Sequence, residues 1–377
     1  MKVIAFYLPQ YHRIPENDAW WGDGFTEWTH IRNAKPLFEK HYQPRIPLHD
    51  RYYDLMEDDD ILRWQCRLAK QNGIYGFCFY HYWFSGKRLL EKPIEKYFED
   101  KECDLPFCLC WANEDWKKRD VFGKTKMLLM QSYGDSKEWK EHFEYCYPFF
   151  KDDRYIRIDG KPVFIIYRPE MIPDLKRLLS YWNTMAKDRG LGGLTFMYQH
   201  VNAHMTLGRR KKLFDYGIEF QPFYAMQVGG SSYWLSKLKS YMDLPFQRLF
   251  HYSFDVHKHF RPKSGLHVVN YDQVWKRILK EKRQDARIIA GAFVDWDNSP
   301  RYGSAGLIVE GANPKKFKKY FSKLVRNIQR EGKKEIIFLF AWNEWSEGGY
   351  LEPDERYGYG YLHAVRDVIC ECESKRD

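Results

Sequence analysis

The apolar positions of this chain gather into short continuous runs. Each run closes on a polar or aromatic turn and gives way to a stretch with helical spacing. Eight runs follow one another: Lys2–Leu8, Ile74–Tyr80, Phe107–Trp111, Pro162–Tyr167, Leu194–Tyr198, Gly217–Phe220, Ile288–Val294 and Ile336–Phe340. They do not alternate apolar with polar residues, as a strand with one wet face would. They read as strands buried on both faces, the habit of a parallel sheet. Between them, Asp60–Gln71 has a helical pattern that closes at Asn72-Gly73, and Met171–Asp188 has one that breaks at Gly190. Phe317, Tyr320, Phe321, Leu324, Val325 and Ile328 recur at the spacing of one helix face. Strand–helix units in this number predict an α/β fold, a (β/α)₈ TIM barrel built by residues 1–377 as one catalytic domain. Residues 9–59 and 221–270 are too long for plain connections. Both follow strands, so they are expected as long βα-loop insertions on the active-site face.

Composition narrows this picture. The chain has 377 residues, 44% hydrophobic and 30% charged, which suits one large globular barrel. Aromatics reach 18%, and many fall at strand ends, where they can stack on a ring-shaped ligand. The net charge of +10 admits an anionic partner, with the densest basic cluster on the helical stretch from Lys315 to Lys334. No zinc-finger spacing, RNA-binding signature or phosphate loop accompanies it, so nucleic acid is not an expected partner. The eight cysteines, at 66, 78, 103, 108, 110, 146, 370 and 372, form no CxxC pair and read as reduced thiols of a cytoplasmic protein. The opening Val3–Leu8 run is too short for a signal peptide, and no run reaches the length of a membrane span.

Candidate chemistry sits at the strand ends. The last run enters Trp342-Asn343-Glu344-Trp345-Ser346-Glu347-Gly348-Gly349. Glu344 and Glu347 would face apart on a straight strand and converge on a tight turn, which the glycines permit. Paired carboxylates among indoles are equipment for breaking a glycosidic bond. The plainer alternative is a helix start with ordinary acidic residues in its first turn. Other candidates for binding a substrate are Tyr7, Gln10, His12, Glu27 and Trp28, then His81, Tyr82 and Trp83, then Trp111, Asn113, Glu114 and Trp116. Tyr198, Gln199, Glu219, Asp297, Asn298, Trp342, Asn343 and Trp345 complete the set. Amides and carboxylates suit vicinal hydroxyls, and indole faces suit the apolar side of a sugar ring, so an oligosaccharide or polysaccharide is the expected partner. Asp295-x-Asp297 and the histidines 12, 81 and 200 are the places a metal could bind, but no HExxH or EF-hand spacing is present. No metal or other cofactor is expected.

Six segments carry a resemblance. Tyr7-Leu8-Pro9-Gln10-Tyr11-His12, Pro15-Glu16-Asn17, Trp21 through Trp28, Trp111-Ala112-Asn113-Glu114-x-Trp116, Trp296 through Arg301 and Trp342 through Gly348 resemble the WbsX-like family across nearly the whole chain. That family is labelled as glycosyltransferases of surface-polysaccharide gene clusters. More remotely, the barrel and the Glu-Trp-x-Glu segment are similar to glycoside hydrolase family 99, the endo-α-mannosidases. This second resemblance implies a retaining mechanism through a 1,2-anhydro sugar. By position in the motif, Glu344 would deprotonate the 2-hydroxyl and Glu347 would protonate the leaving oxygen and then activate water. Asn343 stands where family 99 has a histidine, so the sugar bound there need not be mannose. Together the resemblances imply a retaining glycoside hydrolase, endo-α-mannosidase-like, acting on a bacterial surface polysaccharide or its precursor, with peripheral contact to membrane-linked glycans. The alternatives are a glycosyltransferase of lipopolysaccharide or capsule biosynthesis and a non-catalytic carbohydrate-binding barrel.

Overall fold

The computed structural model describes residues 1–119, 125–200, 207–227, 265–281, 283 and 285–374. Most of the expected second insertion, with its Gly229-Gly230-Ser231-Ser232 segment, lies outside the described residues. Eight strands form the barrel: β1 Lys2–Tyr7, β2 Gly76–Phe84, β3 Phe107–Trp111, β4 Lys161–Ile166, β5 Thr195–His200, β6 Tyr216–Glu219, β7 Ile288–Phe293 and β8 Ile336–Phe340. Each pairs in parallel with its neighbours in chain order. β1 closes the ring, with Ile4 opposite Gly76 on one side and Phe338 on the other. Closure leaves no edge to protect. Gly291 is required at the β6–β7 seam, because a Cβ there would stand 1.7 Å from the Glu219 carbonyl oxygen.

Helices cover the outside: α1 Ile61–Gln71, α2 Lys92–Glu99, α3 Ser136–Lys151, α4 Leu175–Asp188, α5 Tyr271–Lys280, α6 Pro314–Arg330 and α7 Gly360–Glu373. Between β5 and β6 the described residues hold only a short 3₁₀ turn, Gly208–Leu213. Asp135, Asn270 and Asn313 cap α3, α5 and α6 by accepting backbone N–H groups. On α6, Phe317, Tyr320, Phe321, Leu324, Val325 and Ile328 are buried, as their spacing predicts. The lumen is packed with rings: Phe6 stacks on Tyr80 with centroids 5.5 Å apart and meets Phe338 at 5.6 Å, and Phe220 meets Phe340 at 5.2 Å. The polar side chains are therefore concentrated above this plug, at the C-terminal mouth. Among the described residues no helix is long and apolar enough to cross a membrane. All eight cysteines are unpaired, and only Cys370 is exposed.

Candidate active site

Beyond β8 the chain makes a short strand, Asn343–Glu344, and a 3₁₀ turn, Trp345–Glu347, ended by Gly348 in the left-handed region (φ +71°). The turn brings Glu344 and Glu347 to one guanidinium. Arg301, from the loop after β7, donates from Nη1 to Glu347 Oε1 at 2.8 Å, and its Nη2 stands 3.6 Å from Glu344 Oε2. A third carboxylate joins them. Glu27 Oε2 accepts from Arg301 Nη2 at 3.1 Å and Nε at 3.3 Å, and from the Ser346 hydroxyl at 2.5 Å. Three carboxylates thus share one cation at the mouth, with Glu27 and Glu344 buried and Glu347 partly open.

The electrostatics follow from that imbalance. Burial and then the Glu347 charge push the Glu344 carboxyl well above its ordinary range, against a smaller pull from Arg301. Glu344 Oε2 is buried with no hydrogen-bond donor on it. Burial also raises Glu347, with Arg301 opposing it. Burial works on Glu27 too, but Arg301, His30 and Ser346 outweigh it and hold that carboxyl below its ordinary range. The two glutamates of the turn therefore favour a proton, while Glu27 serves as the fixed anion.

Around this cluster lie several of the expected residues. Burial, and then the nearby Glu344 charge, push the Tyr82 hydroxyl pKa up. Gln10 donates to the Tyr82 hydroxyl at 3.3 Å, and half-buried Trp116 meets the Tyr82 ring edge to face at 5.2 Å. Glu114 is ion-paired with Arg168 across the mouth. Gln199 lies lower in the lumen and accepts from the Cys110 thiol at 3.6 Å.

Others point elsewhere, and strand alternation explains most of them. Tyr7 turns outward and donates to Gln65 of α1 at 2.6 Å. His81 and Trp83 face α3, where His81 Nε2 meets His142 Nε2 at 2.8 Å and Trp83 stacks on the His142 ring. Trp111 joins them, 4.8 Å from that ring. Tyr198 packs outward on Phe214, and Glu219 is buried against Arg283 at 2.8 Å. Trp342 packs on Phe77 behind the wall, and His12 bonds the Pro9 carbonyl. Trp28 and Trp345 pack together beneath the turn, 5.5 Å apart. Asn113, Asn343 and Asn298 spend their amides on backbone groups, of Arg168, Leu8 and Leu307 respectively. Among the described residues, none of these side chains is hydrogen-bonded or ion-paired to Glu27, Glu344 or Glu347.

Asp297 is likewise committed to protein donors. His41 Nε2 lies 2.8 Å and Gln43 Nε2 2.7 Å from its Oδ2, and the Ser299 N–H lies 3.0 Å from Oδ1. The Leu37 N–H donates to His41 Nδ1, which leaves the His41 proton on Nε2, facing Asp297. Burial opposes ionisation there, but His41, Arg45, Ser299 and Gln43 hold Asp297 down at about 2. Asp295 meets Arg45 Nη1 at 2.9 Å. The Asp-x-Asp pair therefore has a guanidinium where a cation would sit. Among the described residues the other grouping with metal-ligating atoms is His81, His142 and Cys146, within 4.8 Å of one another behind the barrel wall. Its two imidazoles already satisfy each other. Sequence reasoning gave no role to Arg301 or Ser346. Both lie in the segments quoted above, and an arginine beside a carboxylate-rich mouth was the available signal.

Among the solved structures that resemble this one are two barrels. The GH99 endo-alpha-mannosidase from Bacteroides thetaiotaomicron aligns with a TM-score of 0.56 at 14% identity, over 99% of this chain and 98% of that one. A glycoside hydrolase-like protein aligns equally well, with a TM-score of 0.56 at 14% identity over 97% and 93%. At such identities the likeness is one of fold. The family is given by sequence: residues 3–365 match the family described as Glycosyltransferase WbsX, and the chain belongs to it. The chain is also 34% identical over 369 residues to the uncharacterized protein WxcX in two strains of Xanthomonas campestris pv. campestris. That match covers 97% of this chain and 49% of the relative, so the chain spans about half the length of those proteins.

Proposed function

We propose that this barrel is a retaining glycoside hydrolase, endo-α-mannosidase-like, acting on a bacterial surface polysaccharide or its precursor. The observation that carries the reading is the convergence of Glu344 and Glu347 on Arg301 at the mouth, at 3.6 and 2.8 Å. Glu344 is the deeper of the two and has no donor on Oε2. Its raised pKa makes it a stronger base when ionised, as removal of a proton from a sugar 2-hydroxyl requires. The resulting alkoxide attacks C1 and expels the leaving oxygen. Glu347 has a side chain 17% exposed, open enough to exchange protons with entering water. It protonates the leaving oxygen and then takes a proton from the water that attacks C1 and opens the 1,2-anhydro sugar, while Glu344 returns its proton to O2. Arg301 and Glu27 hold the two carboxylates in register through the cycle.

Glutamine variants test the roles. Glu347→Gln is expected to lose about 10²–10⁴ in rate on substrates with poor leaving groups and to keep part of its activity on aryl glycosides. Glu344→Gln is expected to lose activity on both, and 2-deoxy substrates are expected to resist the wild type. Rapid turnover of a 2-deoxy substrate would overturn the anhydro-sugar route. The family's description favours a second reading, glycosyl transfer, in which a sugar hydroxyl replaces water. Mass spectrometry of products formed with and without acceptor sugars and nucleotide sugars separates the two.

A further inference from the structure

The turn that carries Glu344 and Glu347 is held from beneath by a carboxylate that the reaction does not use. Glu352 is 4% exposed and, among the described residues, has no ion-pair partner. Three donors converge on it instead. Gln65 Nε2 donates to Oε1 at 2.7 Å, and the Trp345 indole and the Tyr53 hydroxyl donate to Oε2 at 2.7 and 3.0 Å. Gln65 Oε1 accepts the Tyr7 hydroxyl at 2.6 Å, an orientation that turns its Nε2 toward Glu352. Trp345, between the two glutamates, is also stacked on Tyr350 at 3.7 Å, and its backbone N–H meets the Tyr11 hydroxyl at 3.2 Å. Tyr11 in turn donates to the Asn343 carbonyl at 2.6 Å.

We propose that Glu352 is a positioning residue: through the Trp345 indole it fixes the turn on which Glu344 and Glu347 stand. The inference rests on the hydrolase reading and deepens it. The donor array matches a carboxylate and mismatches an acid. A proton on Oε2 faces an indole N–H, which cannot accept; only the Tyr53 hydroxyl can rotate to receive it. Protonation therefore loosens Trp345. The titratable groups facing Glu352 are Tyr7 on β1 and Tyr11 and Tyr53 on the first insertion, with His49 and Arg51 across an outer pocket of about 320 Å³. That pocket gives bulk protons a route. Burial raises Glu352 to about 7 against the pull of Trp345, Gln65 and Tyr53, so the change falls near neutral pH.

The test pairs a spectrum with a rate. In ¹⁵N-labelled wild type, the indole N–H signal absent from Trp345→Phe should shift as pH falls through neutrality. In Glu352→Gln it should stay flat over the same range. Glu352→Gln should lower kcat about 10²-fold with KM little changed, since a small misplacement of reacting groups suffices for that loss. The swap Gln65→Glu with Glu352→Gln restores every donor–acceptor match and should recover most of the rate. An indole signal that does not titrate, or that titrates equally in Glu352→Gln, overturns the contact. An unchanged kcat, or a swap no faster than the single variant, overturns the positioning role. If the wild type hydrolyses no glycan, the hydrolase reading falls and the indole titration alone decides whether Glu352 anchors the turn.

Discussion

Arg301 neutralises three carboxylates with one charge, and the shortfall has a thermodynamic signature. Glu344 and Glu347 have raised pKa values in the folded protein. Between the unfolded value near 4.3 and the higher folded values, the native state binds more protons than the unfolded chain. Stability from these groups is therefore present at low pH and is lost as pH rises through that window. Glu27 has the opposite sign: its lowered pKa stabilises the fold above about pH 4.3, and that contribution is lost on acidification. Glu344→Gln removes the least favourable charge and keeps the shape. It should raise Tm at pH 7–8, show little gain near pH 4, and be inactive throughout. Calorimetric scans of both proteins across that range check the sign. A Tm difference that does not depend on pH would mean that Glu344 is not a buried, charge-penalised group. Such a trade of stability for a working site is common.

At the scale of elements, the sequence is most informative where its signal is continuous. Eight unalternating apolar runs become eight strands in the same order, and even the short sixth run pairs with both neighbours. The same lack of alternation hides which side chains face the lumen. Tyr80 and Tyr82 point inward while His81 and Trp83 point to α3, and nothing in a run buried on both faces tells the two sets apart. Glu344 and Glu347 are legible because a turn, not a strand, carries them. Arg301 is less so, since its importance depends on partners distant in sequence. Asn113 and Asn343 look like sugar ligands yet act as staples. Asn343 bonds both the N–H and C=O of Leu8, at 2.7 and 3.0 Å, and joins β8 to the end of β1. Asn113 does the same to Arg168 after β4, at 2.8 Å for each bond. Replacing either by alanine leaves two buried backbone groups unpaired and should cost about 1–3 kcal/mol. Urea titrations should show a lower midpoint at constant slope.

For the molecule as a whole, the first insertion acts as a strap across the mouth. Its residues reach the loops after β7 and β8: Glu27 to Arg301, His41 and Gln43 to Asp297, Arg45 to Asp295 and Leu48 to the Pro353 carbonyl. Arg45 is the centre of the strap, buried between Asp295 at 2.9 Å and Asp297 at 3.8 Å. This arrangement bears on the reaction, because an Asp-x-Asp pair is also how a nucleotide-sugar transferase would present a metal. Here the guanidinium and the His41 and Gln43 donors already satisfy the pair, and a dication would have to displace Arg45. Arg45→Ala should therefore destabilise the fold by about 3–5 kcal/mol, the usual result of leaving buried charges unpaired. The wild type should keep its activity in excess EDTA. Loss of activity in EDTA, restored by Mn²⁺, would shift the chemistry from the Glu344–Glu347 turn to the strap and favour transfer over hydrolysis.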